Sequence, residues 1–370
     1  MLCLLLLSVS SPSHAKFVKV QQPSDIGKLA AINNEDLCAV AQNTKLYLQN
    51  HLDDTFAVHP GKIIDPHISL KQVEQTLAFI CATVTDDHLT HRASRLQNSE
   101  FLRQHFNFYR WLPDKATANQ LADASANQRK QALLRAIPSD QLLLTKYYTK
   151  KLQGSAVPTA KYNQALYALP YDEQGLSRAQ AMAKRAQLTR FKYTRQQIIH
   201  GALLAHHLAK PLVWLTEAGL HDVLLQGTGV LEVNGVLHYY NVHRNNGIAY
   251  DYTIGKRQQR RYWYFAEVPS IMGYGKNLAS KIAIKAQVTV AGNIKALGVG
   301  KLLLLSYPEH GQAMARLAVL ADQGGAFDNN LFQLDLLAGS YIGWDDYYQA
   351  NRQLPDYAKA WILLLKTVNH

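Results

Sequence analysis

A chain of 370 residues exceeds the usual size of one hydrophobic core, so two domains, or one domain carrying a large insertion, are expected. With 48% hydrophobic and 18% charged residues it has the make-up of a globular protein, which excludes a disordered or fibrous chain. The formal charge of +12 favours a polyanionic partner.

The first fifteen residues, MLCLLLLSVSSPSHA, hold an apolar core from Leu2 to Leu7, a polar break, and the small residues Ser13 and Ala15. This is the pattern of a secretory signal over 1–15, cut before Lys16. Cys3 lies at the start of that core instead of following it and so is badly placed for lipidation. No later stretch is long enough to span a bilayer. An exported chain makes nucleic acid a poor candidate for the polyanion, and a cell-wall polymer bearing carboxylates a better one. The basic residues are dispersed, apart from the run Lys256 to Arg261 (KRQQRR), whose ordinary reading is a solvated loop.

From Lys16 to about Pro138 the pattern reads as helical. Leu37, Val40, Ala41, Thr44 and Leu48 share one face, as do Leu70, Val73, Leu77, Ile80, Cys81 and Val84. Ser69, with Gln72 three residues on, is a capping signature for the second of these helices. Cys38 and Cys81 fall on the two helices, where a bridge and two separately buried thiols are equally compatible with the sequence. A third helix is expected over 117–136, closing at Pro138.

At Leu142 the period changes. LLLTKYYTKKLQ reads as a strand, followed by a tract rich in Pro, Gly and Tyr up to Gly175. Helices are expected over 177–188 and 195–209, the latter with Thr194 as cap. From Asp222 onward the sequence reads as β: VLLQGTGVLEV, a turn at Asn234-Gly235, then VLHYYNV. Further strands are expected at 262–265, 283–290, 301–306, 317–321 and 332–337. Many short strands between glycine turns point to barrels more than to a parallel sheet.

Chemistry concentrates near the C-terminus. Asp322 ends an apolar run ahead of Gly324-Gly325, and Asp335 sits amid Leu334, Leu336 and Leu337. A carboxylate among leucines is costly to bury unless it faces a cleft, and burial raises its pKa towards what a general acid needs. The plainer reading is a turn aspartate and one strand residue facing solvent. His200, His206, His207 and His221 lack metal-ligand spacing, and no motif asks for a metal or a cofactor. Gly298-Val299-Gly300-Lys301 lacks the frame of a phosphate loop.

A set of motifs occurs in one order. Gln226, Gly227, Thr228 and Gly229, then Asn246, Gly247, Tyr250, Ile254 and Gly255, resemble the QGSG and NGxxYxxIG block of the MltA family of membrane-bound lytic murein transglycosylases. Tyr147-Tyr148 stand where that family has GYYxP, and Tyr167 with Pro170 where it has (I/L)YxxP. Arg195, Ile198, Gly201, Ala202 and Leu203 resemble its RxxIxxGAL helix. Asp322, Gly324, Gly325, Ala326, Asp335 and Gly339 resemble its DxGGAI and D(I/L)xxG ending. Lys146, Lys150 and Tyr341 depart from the pattern.

The resemblance implies an α+β, mainly β fold: a double-psi β-barrel with an N-terminal helical part and an inserted second β-barrel domain, with a groove between the two. The corresponding domains are 16–150 plus 256–370 for the helical part and catalytic barrel, and 151–255 for the insertion. It further implies Asp335 as the catalytic acid with Asp322 in support. Gln226, Gly227, Thr228, Gly229, Asn246, Tyr250, Tyr147, Tyr148 and Tyr167 are then the candidate sugar-binding residues. The tyrosines could equally be core, and the glycines turn formers. The expected reaction is cleavage of the MurNAc-GlcNAc bond of peptidoglycan glycan strands in the periplasm, with outer-membrane association as a candidate. Cell-wall synthesis or hydrolysis proteins are candidate partners. A two-carboxylate hydrolase and an inactive wall-binding barrel are the competing readings.

Overall fold

The computed structural model describes residues 14–24, 26–324 and 327–367. The expected signal segment falls almost wholly outside them, as do Gly325 and Ala326 of the glycine turn. Contacts divide the chain into two units: 1–147 with 285–337 and 352–370, and 148–284 with 338–351.

The first unit contains a closed six-stranded barrel flanked by extra strands. Strand Leu142–Gln153 begins it and pairs antiparallel with Tyr357–Leu365 through Leu143 and Tyr357. The order then runs through Leu302–Glu309, Gln312–Asp322, Thr289–Ala291 and Gln333–Tyr341 back to the first strand. The pairing of Thr289–Ala291 with Gln312–Asp322 is parallel while others are antiparallel, giving the mixed pairing expected of a double-psi barrel. Leu302, Leu303, Leu304, Val319, Leu320, Leu334, Leu336 and Leu363 are wholly buried and form the core. Fully burying each such side chain favours the fold by about 1.5–3 kcal/mol.

Two helices, Asn34–Asn50 and Leu70–Leu89, carry the two expected apolar faces, and the second starts where its capping signature places it. Asn33 caps the first and Ser69 the second, the latter accepting from the Gln72 amide. Cys38 and Cys81 are bridged by a disulfide, which decides between the two readings left open above. The purely helical reading of 16–138 needs correction. Lys16–Val20 and Phe106–Leu112 are strands, added to the outer edge of Tyr357–Leu365. In Phe106–Leu112 the residues Phe106, Phe108 and Trp111 are buried, so tertiary packing overrides the helical neighbourhood. The helix expected over 117–136 is two, Lys115–Asp123 and Gln128–Arg135, the second restarted by the Asn127 cap.

The second unit is built on the hairpin Thr228–Val233 and Val236–Asn245. Asn234 and Gly235 both take positive φ, 52° and 79°, as the two-residue turn requires. Trp263–Val268, beyond residue 255, adds to this sheet, and Gln164–Pro170 pairs with Ala209–Leu215 in a second one. Tyr262, Tyr264, Phe265, Leu166, Leu215 and Leu231 form the shared core. The run Val223-Leu224 is not strand but the buried face of helix Glu217–Gln226. The helix expected over 195–209 breaks at Gly201, whose φ is +92°, and ends at Ala205.

Candidate active site

Asp335 lies on strand Gln333–Tyr341, where alternation sends Leu334 and Leu336 into the core and leaves Asp335 half-buried on the other face. Its Oδ1 is buried with no hydrogen-bond partner. Burial is the main reason its pKa is pushed up to about 6, and the negative charge of Asp322 adds to the rise. A hydrogen bond from Thr145 and the charge of Lys146 oppose it. Repulsion by Asp322 is therefore a lesser cause than desolvation.

Thr145 is itself held by a relay of amides. Asn330 Nδ2 donates to Gln333 Oε1 at 3.0 Å, and Gln333 Nε2 donates to Thr145 Oγ1 at 2.8 Å. The Thr145 hydroxyl in turn donates to Leu334 O at 3.3 Å, beside Asp335 in the chain. Lys146, on the opposite face of the strand, donates to Pro355 O at 2.7 Å and lies 3.4 Å from Asp356 Oδ1.

The short strand Thr289–Ala291 separates the two aspartates. Ala291 is in register with Asp335 on one side and with Asp322 on the other. Their Cα atoms thus stand two strand spacings apart, roughly 10 Å. Asp322 Oδ2 accepts from the Tyr147 hydroxyl at 2.6 Å, and Oδ1 from the Gln323 amide at 2.8 Å. Burial first, and then the Asp322 carboxylate, raise the Tyr147 pKa far above its ordinary value. Tyr147 therefore stays protonated, a fixed donor.

In the second unit, Gln226 is exposed at the end of its helix, and its Oε1 accepts from the Lys150 amide at 2.9 Å. Gly227 is the left-handed cap, with φ +73°. Thr228 Oγ1 accepts from Asn241 Nδ2 at 3.0 Å, and Gly229 sits against Val223, whose Cγ1 would lie 3.3 Å from an added Cβ. Tyr148 stacks on Tyr347 with centroids 4.6 Å apart, and Tyr341 packs edge-on against both. Tyr250 is half-buried beside Tyr252.

Residues 143–262 match the family model of the MltA specific insert domain. MltA from Neisseria gonorrhoeae superposes with a TM-score of 0.60 at 15% identity, covering 97% of this chain and 93% of that one. A membrane-bound lytic murein transglycosylase from Agrobacterium tumefaciens gives 0.56 at 16% identity, covering 95% and 97%. The chain has the MltA fold. E. coli MltA with bound chitohexaose gives 0.53 at 16% identity, covering 96% and 95%. None of the curated protein sequences matches significantly. The resemblance to the MltA family read from the motifs thus holds.

Within this MltA-like frame the candidate residues separate. Asp335, Asp322 and Tyr147 come together in the barrel unit, and Gln226, Gly227 and Thr228 come together beside Lys150 in the insert unit. Asn246 and Tyr167 do not join an open site. Asn246 is 1% exposed, and its amide donates to Tyr193 O and Arg260 O while accepting from the Tyr262 and Ile248 amides. Nothing of it is left for a sugar. Tyr167 is buried in the insert core. Sequence reasoning missed Thr145 and Gln333; Thr145 shares a strand face with Tyr147 by alternation, and that was the available signal. Among the described residues no group of three or more His, Cys, Asp or Glu could hold a metal ion, and no helix is long and apolar enough to cross a membrane.

Proposed function

We propose that this protein is a lytic transglycosylase that cleaves the MurNAc-GlcNAc β-1,4 bond of peptidoglycan and leaves 1,6-anhydro-MurNAc ends. The observation that carries the reading is Asp335, a carboxyl with a pKa of about 6 and one buried oxygen without a partner. Such a group is protonated in a useful fraction near neutral pH, about a tenth of molecules at pH 7.

In the proposed reaction Asp335 donates its proton to the glycosidic oxygen as the C1–O bond breaks. The resulting carboxylate takes the proton of the muramoyl C6 hydroxyl while that oxygen closes on C1. No water is consumed, so one group serves as acid and then as base. Positioned acid-base catalysis of this kind contributes about 10²–10⁴-fold. Alignment of the C6 hydroxyl contributes through orientation. Asp322, held by Tyr147, is the supporting carboxylate that favours positive charge developing at C1. Gln226, Gly227, Thr228, Gly229, Tyr148 and Tyr250 are proposed to bind sugar.

Support for a glycan substrate comes from the fold shared with E. coli MltA, which was solved with chitohexaose bound. The Cys38–Cys81 bridge supports residence in an oxidising compartment such as the periplasm. A two-carboxylate hydrolase is the second reading, motivated by Asp322 and Asp335 flanking the same strand. Digesting purified peptidoglycan and weighing the muropeptides decides. Products lighter by one water than the hydrolytic ones are expected; ordinary reducing ends would favour the hydrolase, and binding without cleavage an inactive wall-binding barrel.

A further inference from the structure

The basic run Lys256 to Arg261 is no loosely solvated loop: Arg195 and Asn246 hold its backbone carbonyls, and its own Gln259 ties it to Asp251. Gln259 is 0% exposed, donating to Asp251 O at 2.6 Å and accepting from the Asp251 amide at 2.9 Å. Arg195, also buried, donates to Lys256 O at 3.0 Å and to Arg261 O at 2.8 Å. Asn246 holds Arg260 O at 3.0 Å. Three side chains of this cost are spent on the carbonyls and amides of residues 246–261, which fixes the loop's shape and leaves Lys256, Arg257 and Arg260 exposed.

What the loop then presents is charge. Lys256, Arg257 and Arg260 are exposed, and Arg261 lies over the Trp263 ring at 4.3 Å with a buried Nε that has no partner. Across 246–261 the one acid is Asp251, and both its amide neighbour and the hydroxyl of Thr253 are bonded to the same carboxylate oxygen. None of the four cations forms an ion pair among the described residues. Tyr252 stands beside them, 91% exposed. Like charges held this close repel one another, and a preformed cluster binds an anion without further ordering cost.

We infer that this loop of the insert is a preformed receptor for the free carboxylates of peptidoglycan stem peptides. Stems hang from the muramoyl residues of the strand that the proposed function cuts, so the inference rests on that reading for its choice of polyanion. Lysine ammonium and arginine guanidinium groups match carboxylates in charge.

The test is binding, read without turnover. Glycan strands bearing stems, the same strands stripped of stems by an amidase, and vesicles containing anionic phospholipid are each titrated with wild-type protein. The same titrations use K256Q/R257Q/R260Q and the charge-keeping variant K256R/R257K/R260K, at low and at high salt. Wild type is expected to prefer stem-bearing over stripped strands about tenfold at low salt, with the preference shrinking as salt rises. The glutamine variant is expected to lose the preference and the charge-keeping variant to retain it, with unchanged melting curves. An equal preference in all three proteins, or no preference in wild type, overturns the inference. So does loss of vesicle binding with stem binding intact, which assigns the loop to a lipid surface. Because no cleavage is measured, failure of the proposed reaction would appear separately, as stem binding without anhydro products.

Discussion

Asp335 in the barrel unit and the residues that fasten the 246–261 loop in the insert unit treat their buried polar atoms in opposite ways. In the barrel, Asp335 keeps a buried oxygen without a partner, and its pKa is about 6. In the insert, Asn246, Gln259 and Arg195 are at least as buried, and each has its hydrogen bonds to backbone filled. A satisfied buried amide lowers the energy of one loop conformation. A buried carboxyl left short of partners raises the energy of its charged form and so stores reactivity. For these four residues the difference separates the proposed machinery from scaffold where residue type alone does not.

Substitutions can break this contrast. The largest effect is expected for D335N, a loss of about 10²–10⁴-fold or more in turnover of purified peptidoglycan with the fold retained. An active D335N protein would remove Asp335 from the chemistry. N246A should act on stability instead, costing about 2–4 kcal/mol in urea denaturation, because it strips partners from two carbonyls and two amides at once. If N246A unfolds no more readily than the parent while sugar binding is lost, scaffold and machinery have been assigned the wrong way round.

The pH dependence sharpens the same point. The Asp335 pKa is raised on folding from 3.8 to about 6, so the folded state holds the proton more tightly than the unfolded state. Stability from this group is fully present below about pH 4 and is lost as pH rises through about 6. D335N removes the penalty. It should therefore melt higher than wild type above pH 6, by up to about 3 kcal/mol, with the gap closing below pH 4. Y147F, which removes the donor to Asp322, is expected to cost about 1–2 kcal/mol in the same denaturation assay. The smallest effect is predicted for T145V. Losing the hydroxyl that opposes the shift should move the alkaline limb of the activity profile to higher pH by less than about one unit.

Some of this was legible from the residues. The Asn234-Gly235 turn, the Ser69 cap and the helix pair under it are local signals, and each forms where it was read. Asp335 was legible because a charge among leucines is anomalous whatever the fold. Phe106–Leu112 was not, since it directly follows helical segments and its pairing partners lie some 90 and 250 residues away, although its aromatic content favours a strand. The apolar run at Val223 could be helix or strand by periodicity, and contact with the insert core settled it as helix. Asn246 defeated the reading differently. A glycine-flanked amide looks the same in sequence whether its hydrogen bonds point at a ligand or at its own loop.

The disulfide between the first two helices has a consequence for how the protein is made. Cys38 and Cys81 are the two cysteines among the described residues, so oxidation of this part of the chain admits one intramolecular pairing. Its formation needs an oxidant but no reshuffling of wrong bridges within this part of the chain, and the rate of that step follows the oxidant supplied. Production in a reducing host should yield protein lacking a closure of 43 residues in separation, worth about 4 kcal/mol on chain-entropy grounds.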